Sequence, residues 1–375
     1  MSRFAILFAL LALLALPATA VAQPAPAVAA AAWLLQDHTS GVVLVAQNAD
    51  ERRDPASLTK LMTAYLVFAA LSDKTLTPSQ PVAVSERAWR AEGSRMFIEP
   101  RRAVSVDELL RGMIVQSGND ASIALAEAIA GTEAAFAEKM NAEAKRLGLA
   151  NTRFTNATGL SDPQHYSTAG DLAKLASALI RDFPDYYPLY SLKEYRYNNI
   201  TQPNRNRLLW IDPTVDGVKT GHTEAAGWCL VSSARRGERR LVAVVLGAAS
   251  EAARVSESLK LLNHGFQAYD TVQLYASGQP VSALRVWKGA APEVAGGFLA
   301  DQYVTLPKGK AAKLELTMTA SEPLVAPVVR GQKIGVVRVA LEGRPLGEFP
   351  LQALADVPPA GLFGRAWDTV RLWFK

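Results

Sequence analysis

Ser57 and Lys60 stand three residues apart in Asp54-Pro55-Ala56-Ser57-Leu58-Thr59-Lys60, a spacing that suits acyl-transfer chemistry if a helix carries both. At about 100° per residue, positions three apart differ by about 60°, so the two side chains share a face and can touch. A serine hydroxyl is a poor nucleophile until a base removes its proton. Lys60 is the natural base, provided burial and a neighbouring cation leave part of it uncharged. The segment 58–71 is nearly all Leu, Met, Ala, Val and Phe and reads as a buried helix. Asp54 is suited to capping it and Pro55 to its first turn, which places Ser57 by the positive end of the helix dipole.

Any helix that opens with a serine cap and carries a surface lysine shows the same spacing, so the pair needs company. Ser117-Gly118-Asn119 and Lys219-Thr220-Gly221 supply it, in that order along the chain. The first falls in a short connection between helical segments at 106–115 and 119–130, which lets a serine and an amide point into a cleft. The second precedes a strand-like run at 228–234. Lys219 is a candidate for the cation that keeps Lys60 partly neutral, and Ser117 for a proton relay between Lys60 and a leaving amine. Asn119 could donate to a substrate carbonyl, and the backbone N–H groups of Ser57 and His222 could hold a tetrahedral oxyanion. Gly221 would let a substrate backbone approach the strand closely. Serine β-lactamases and penicillin-binding proteins use such a trio.

These residues need a scaffold, and 375 residues with 49% apolar and 20% charged content have room for two domains with a sizeable core. The net charge of +5 is spread among interleaved acids and bases, which argues against nucleic acid as a partner and leaves an anionic membrane surface open. Residues 1–22 have the order of a signal peptide: Arg3, an apolar stretch, then Ala20-Val21-Ala22. The alternative is a retained membrane span, for which roughly 13 apolar residues are short. Residues 23–31 form a Pro/Ala-rich linker. With Cys229 alone, no intrachain disulfide can form, and its apolar neighbours mark a buried, inert thiol. His38, His165 and His264 lack metal-ligand spacing and paired cysteines are absent, so no metal or cofactor is expected.

Runs at 33–37 and 41–46 read as a hairpin, followed by helices at 58–71, 106–115, 119–130, 133–147 and 168–181 and strands within 227–247. That order predicts an α/β fold over 32–269, with an antiparallel sheet assembled from distant segments. From 270 to 357 short alternating runs between Gly- and Pro-bearing turns predict a small all-β domain. In 358–375, Leu362, Phe363, Ala366, Trp367, Val370, Trp373 and Phe374 fall within about 140° of a helical wheel. The expected helix suits a membrane surface and is too short to cross a bilayer; docking on the protein's own body is the alternative.

Longer runs carry a family resemblance. Arg53-Asp54-Pro55-Ala56-Ser57-Leu58-Thr59-Lys60, Gln116-Ser117-Gly118-Asn119-Asp120-Ala121, Asn151-Thr152-Arg153-Phe154, Ala178-Leu179-Ile180-Arg181-Asp182 and Val215-Asp216-Gly217-Val218-Lys219-Thr220-Gly221-His222-Thr223 resemble the low-molecular-mass penicillin-binding proteins of the D-alanyl-D-alanine carboxypeptidase type. The likeness runs from about residue 33 to the end. It implies a β-lactamase/transpeptidase-like domain with helices on both sides of the sheet, an all-β domain, and a tail on the periplasmic face of the bacterial inner membrane. It further implies removal of the terminal D-alanine from peptidoglycan stem peptides by way of an acyl-enzyme on Ser57, with penicillins as acylating inhibitors. Lys60 and Ser117 are then catalytic, and Asn119, Lys219, Thr220, Gly221 and His222 bind substrate. By position, Arg254 matches the family's arginine for the substrate's terminal carboxylate, a task that suits a guanidinium fork. Outside that context it reads as a solvated charge at a helix start.

Three other readings use the same residues. A β-lactamase needs an added acid–base residue of the Glu-x-x-x-Asn kind, and 119–219 is read as lacking one. An endopeptidase cutting D-alanyl cross-links needs nothing further. A wall-binding protein that had lost catalysis would lack Ser57, Lys60 or Lys219, and all are present. Asp171 and the loop 89–95 either border the site or are an ordinary helix-surface acid and loop.

Overall fold

A computed structural model describes residues 25–373. The expected signal peptide, 1–22, lies outside the described residues, as does Phe374 at the end of the apolar stripe. In chain order the first unit begins with the hairpin β1 (Ala32–Asp37) and β2 (Val43–Gln47) and helix α1 (Lys60–Ser72). The short pair β3 (Pro81–Val82) and β4 (Val104–Ser105) brackets the single turn α2 (Glu86–Trp89). Helices α3 (Val106–Val115), α4 (Asn119–Ala130), α5 (Glu133–Arg146) and α6 (Ala169–Asp182) follow. A hairpin of β5 (Glu194–Tyr197) and β6 (Ile200–Pro203) and the turn α7 (Leu208–Ile211) lead to β7 (Val215–Thr223), β8 (Gly227–Arg236), β9 (Arg239–Ala248) and α8 (Glu251–Ala268).

The main sheet has the order β2-β1-β9-β8-β7 with every pair antiparallel, so β7 is an edge strand. Period-two alternation sends Val242, Val244 and Leu246 of β9 into the layer built by α1 and α3 to α6. Leu241, Ala243 and Val245 point the other way, toward Leu261 and Leu262 of α8. Helices thus cover both faces, which is why these strands read as near-continuous apolar runs. Each fully buried Leu or Phe side chain contributes about 1.5–3 kcal/mol of transfer free energy. Polar residues fix the helix starts: Ser105, Thr132, Thr168 and Ser250 each accept the N–H three residues on, and Ser105 forms a full capping box with Glu108.

The start of the nucleophile helix differs from expectation. Asp54 does not cap it, because its Oδ1 accepts from Ala56 N at 2.7 Å and its Oδ2 accepts from Ser161 Oγ at 2.5 Å and Thr223 Oγ1 at 3.2 Å. Ala56 has φ +47°, so the helix cannot continue back through it. Residues Ala56–Thr59 form a 3₁₀ turn and the α-helix begins at Lys60. With three residues per turn, a 3₁₀ turn stacks positions i and i+3, which aligns Ser57 and Lys60 better than an α-helix would. The helix start expected at Arg254 opens the 18-residue α8, and the β5–β6 hairpin is an addition to the expected elements.

The second unit begins at β10 (Tyr269–Tyr275), directly after α8, and continues with β11 (Pro280–Trp287), β12 (Glu293–Gly297), β13 (Gln302–Pro307), β14 (Leu314–Ala320), β15 (Leu324–Val325), β16 (Lys333–Leu341) and β17 (Arg344–Ala353). Its six-stranded sheet has the order β14-β16-β17-β12-β11-β15, beside the pair β10-β13. Phe298, Ile334, Val337 and Leu351 centre its core. Asp37 ties the units together by accepting from Arg239 Nε at 2.7 Å and Thr271 Oγ1 at 2.5 Å. Helix α9 (Leu362–Trp373) ends the described chain. Its apolar residues face solvent, with Phe363 94% and Trp373 85% exposed, while Asp368 Oδ2 accepts from Lys288 N at 2.6 Å on its polar side.

Candidate active site

The 3₁₀ turn, the connection between α3 and α4, and the edge strand β7 meet at a cleft of about 390 Å³ whose lining includes Ser57, Ser117, Arg205, Thr220, His222 and Arg254. Lys60 Nζ lies 3.0 Å from Ser57 Oγ, 2.7 Å from Asn119 Oδ1 and 2.6 Å from the Thr158 carbonyl. Lys219 Nζ lies 2.9 Å from Ser117 Oγ and 2.9 Å from the Thr220 carbonyl. Both ammonium groups sit at the ends of fully buried side chains. Close backbone packing locks the turn: a Cβ on Gly159, at φ +83°, would collide with the Ala56 carbonyl and lie 2.9 Å from Ser57 N.

Burial sets the electrostatics. Taking Lys60 out of water is the largest cause that lowers its pKa, with the positive charge of Arg205 next, and together they bring it down to about 7. Lys219 is held well below the ordinary lysine range by burial first, then by Lys60, Arg205 and Arg254. Four basic side chains, Lys60, Lys219, Arg205 and Arg254, thus converge here, and a carboxylate is the group they would favour.

Several expectations need correction. Ser117 Oγ is hydrogen-bonded to Lys219, not to Lys60. Arg205 joins Lys219 as a cation near Lys60: its charge lowers Lys60, and Lys60 and Lys219 repel each other. Both ends of the Asn119 amide are engaged, since Nδ2 donates to the Glu92 carbonyl at 2.7 Å while Oδ1 accepts from Lys60. Gly221 lines the cleft as expected and also makes room for the protein itself: a Cβ there would stand 3.1 Å from Ala56 Cβ and from the Pro55 carbonyl. Asp171 is buried and accepts from Asn151 N and Thr152 Oγ1, so it is neither a cleft residue nor a surface acid. A Glu-x-x-x-Asn spacing does occur, from Glu194 to Asn198, but Glu194 is exposed on β5 and does not line the cleft.

The remaining candidates fall where a substrate would pass. His222 lines the cleft and sets its ring against that of Trp228, tilted by 33° with centroids 4.0 Å apart. Arg254 is 3% exposed, lies over the Trp228 ring, and donates to the Gly221 carbonyl at 3.2 Å. Part of the loop 89–95 does border the cleft, through Ser94. Behind it, the Asp120 carboxylate accepts from the N–H groups of Met96, Phe97 and Ile98. His165, read as a histidine without metal partners, is a buried brace. Its Nδ1 accepts from Thr155 N at 3.1 Å, so Nε2 carries the proton donated to Thr59 Oγ1 at 2.7 Å.

Comparison with known proteins agrees with this geometry. Residues 18–250 match the D-alanyl-D-alanine carboxypeptidase family (Peptidase S11), and residues 269–359 match the C-terminal domain of penicillin-binding protein 5. The chain is 44% identical over 358 residues to the D-alanyl-D-alanine carboxypeptidase DacC of Escherichia coli, covering 93% of this chain and 90% of that one. Its fold is similar to the crystal structure of penicillin-binding protein 5 from Haemophilus influenzae, with a TM-score of 0.87 and 42% identity over 89% of this chain and 99% of that one. It is also similar to penicillin-binding protein D2 of Listeria monocytogenes in its ampicillin-bound form, with a TM-score of 0.60 and 33% identity over 65% of this chain and 100% of that one. With both segments matched and relatives aligned along nearly their whole length, the chain belongs to the D-alanyl-D-alanine carboxypeptidase family.

Proposed function

We propose that Ser57 is the nucleophile of a carboxypeptidase that removes the terminal D-alanine from peptidoglycan stem peptides, with Lys60 as its base. The observation that carries this reading is the environment of Lys60 Nζ, which has Ser57 Oγ, Asn119 Oδ1 and the Thr158 carbonyl as its three neighbours. Two of these can only accept hydrogen bonds. A neutral amine has two hydrogens, so with both donated to Asn119 and Thr158 its lone pair is left facing the Ser57 hydroxyl. The shift of Lys60 to about 7 keeps a useful fraction in that form near neutrality.

In the acylation step the Ser57 proton passes to Lys60 Nζ as Oγ bonds to the carbonyl carbon of the penultimate D-alanine. The oxyanion is held by the N–H groups of Ser57 and His222; β7 is an edge strand, so alternate N–H groups along it have no strand partner on the cleft side. The C–N bond then breaks and the departing D-alanine amine takes a proton delivered through Ser117 from the lysine pair. Lys60, neutral again, takes a proton from water as the hydroxide adds to the acyl carbon, and returns it to Ser57 Oγ as the ester C–O bond breaks. Thr220, Lys219, Arg254 and Arg205 receive the terminal carboxylate, whose charge complements theirs. Asn119 holds Lys60 in place and Gly221 allows β7 to lie against the nucleophile turn.

Penicillins fit the same site as acylating inhibitors, in keeping with the ampicillin-bound form of the Listeria neighbour. The tail reading is a peripheral anchor on the periplasmic face of the inner membrane, supported by the exposed apolar side of α9 and its polar tie to Lys288. Among the described residues no helix is long and apolar enough to cross a membrane. The test of the central assignment is intact-protein mass spectrometry after exposure to a penicillin. Wild-type chain should gain one adduct on the peptide bearing Ser57, and Ser57→Ala should gain none while keeping its circular dichroism. An adduct on a different residue would overturn it.

A further inference from the structure

We propose that the edge strand β14 pairs with β14 of a second copy of this chain, joining two six-stranded sheets across a two-fold axis at Thr317. Exposed strand edges invite pairing, and proteins usually blunt them with short strands, prolines, bulges or charge. The opposite edge of the same sheet is blunted in this way, since β15 is two residues long and lies between Pro323 and Pro327. Strand β14 carries one charge, Glu315 near its start, and none of the other devices. It runs seven residues without proline or register shift against β16, and no strand among the described residues lies on its outer side.

Its side chains point to the occupant. Leu314, Leu316, Met318 and Ala320 continue the apolar face, opposite the buried Leu341, Val339 and Val337 of β16, yet Leu316 is 47% and Met318 42% exposed. Glu315, Thr317 and Thr319 form the polar face. Antiparallel pairing of the strand with its own copy about Thr317 uses its whole length. Leu316 then faces the copy's Met318, Leu314 the copy's Ala320, Glu315 the copy's Thr319, and Thr317 itself. Aliphatic residues meet on one side and hydroxyls on the other, and no like charges stand opposite each other. A partner of other sequence would have to supply this alternation; a second copy already has it.

The test uses the full chain solubilised in detergent, in sedimentation and oxidative cross-linking. Wild type should sediment as a dimer, and Thr317→Cys should oxidise to a covalent dimer while Glu348→Cys, two strands in from the edge, does not. Cys229 is buried and adds no background. Leu316→Lys with Met318→Lys should give a single chain with unchanged circular dichroism and unchanged peptide hydrolysis. Leu316→Lys with Met318→Glu should restore the dimer, because in this register each lysine faces a glutamate. A single-chain wild type at every loading, a dimer that survives the paired lysines, or a charge-swapped variant that stays dissociated would each overturn the proposal. None of these outcomes bears on the catalytic assignment, which rests on the other domain.

Discussion

At the scale of single residues, the controlling quantity is the protonation state of Lys60. Acylation needs the neutral amine, so its rate should climb with pH through about 7 and level off above it. Below that point it should fall about tenfold per pH unit. The measurement is the rate of labelling by a fluorescent penicillin across pH 5 to 9, on the order of the range that brackets the transition. Arg205 is part of what lowers Lys60, so Arg205→Ala should move this rise to higher pH as well as weaken carboxylate binding. We expect KM for a D-Ala-D-Ala peptide to increase about ten- to hundredfold, the worth of a charge-assisted hydrogen bond. A variant that lost affinity without any movement of the pH profile would show that Arg205 does not act on Lys60.

At the scale of elements, the 3₁₀ turn at Ala56–Thr59 is held from two sides by glycines. Gly159 sits at a positive φ and against the Ala56 carbonyl, so Gly159→Ala adds backbone strain and a collision together. We expect a loss of about 2–4 kcal/mol in stability, read by denaturant unfolding, and acylation slowed more than a hundredfold because Ser57 is displaced. Much of this scale was legible in the sequence. The long Ala- and Leu-rich segments became α1, α4 and α6, near-continuous apolar runs became β1 and β9, and an alternating run became β16. Where reading failed, a physical reason is visible. Glu293–Gly297 is a strand whose two glycines hide its propensity, and it forms because β17 and β11 pair with it. Helix α8 announces its start with Ser250 and Glu251, but its interior mixes Ser, Lys, Asn and His with the apolar positions and dilutes the periodicity. Ser57, Lys60, Ser117 and Lys219 could be picked out by spacing within motifs. Arg205 could not, because a lone arginine in a connection shows its role only once the chain brings it beside Lys60 and Lys219 from far away in sequence.

At the scale of the molecule, a catalytic domain, a β domain and an amphipathic helix follow one another, and only the first holds the chemistry. Removing 361–375 should therefore release the protein from membranes and leave kcat on a short D-Ala-D-Ala peptide unchanged. Vesicle co-sedimentation and a D-alanine release assay check the two halves separately. If the truncated chain still pelleted with anionic vesicles, attachment would have to come from another surface. The tie between Asp368 and Lys288 makes a finer point. Asp368→Ala should leave binding to vesicles unchanged, since it is absent from the apolar side, while loosening the angle between α9 and the β domain. Fluorescence anisotropy of a probe on the β domain would read that change.

The position of β7 at the margin of its sheet has one more outcome. A ligand laid along it would be gripped through its amide links, which every peptide shares, so this part of the site would be blind to which amino acids flank the cut. Any small molecule that copies the outline of an extended dipeptide and carries a carboxylate at the right end is admitted on the same terms. An edge that would receive a stem peptide through its backbone would thus also receive a mimic of that backbone.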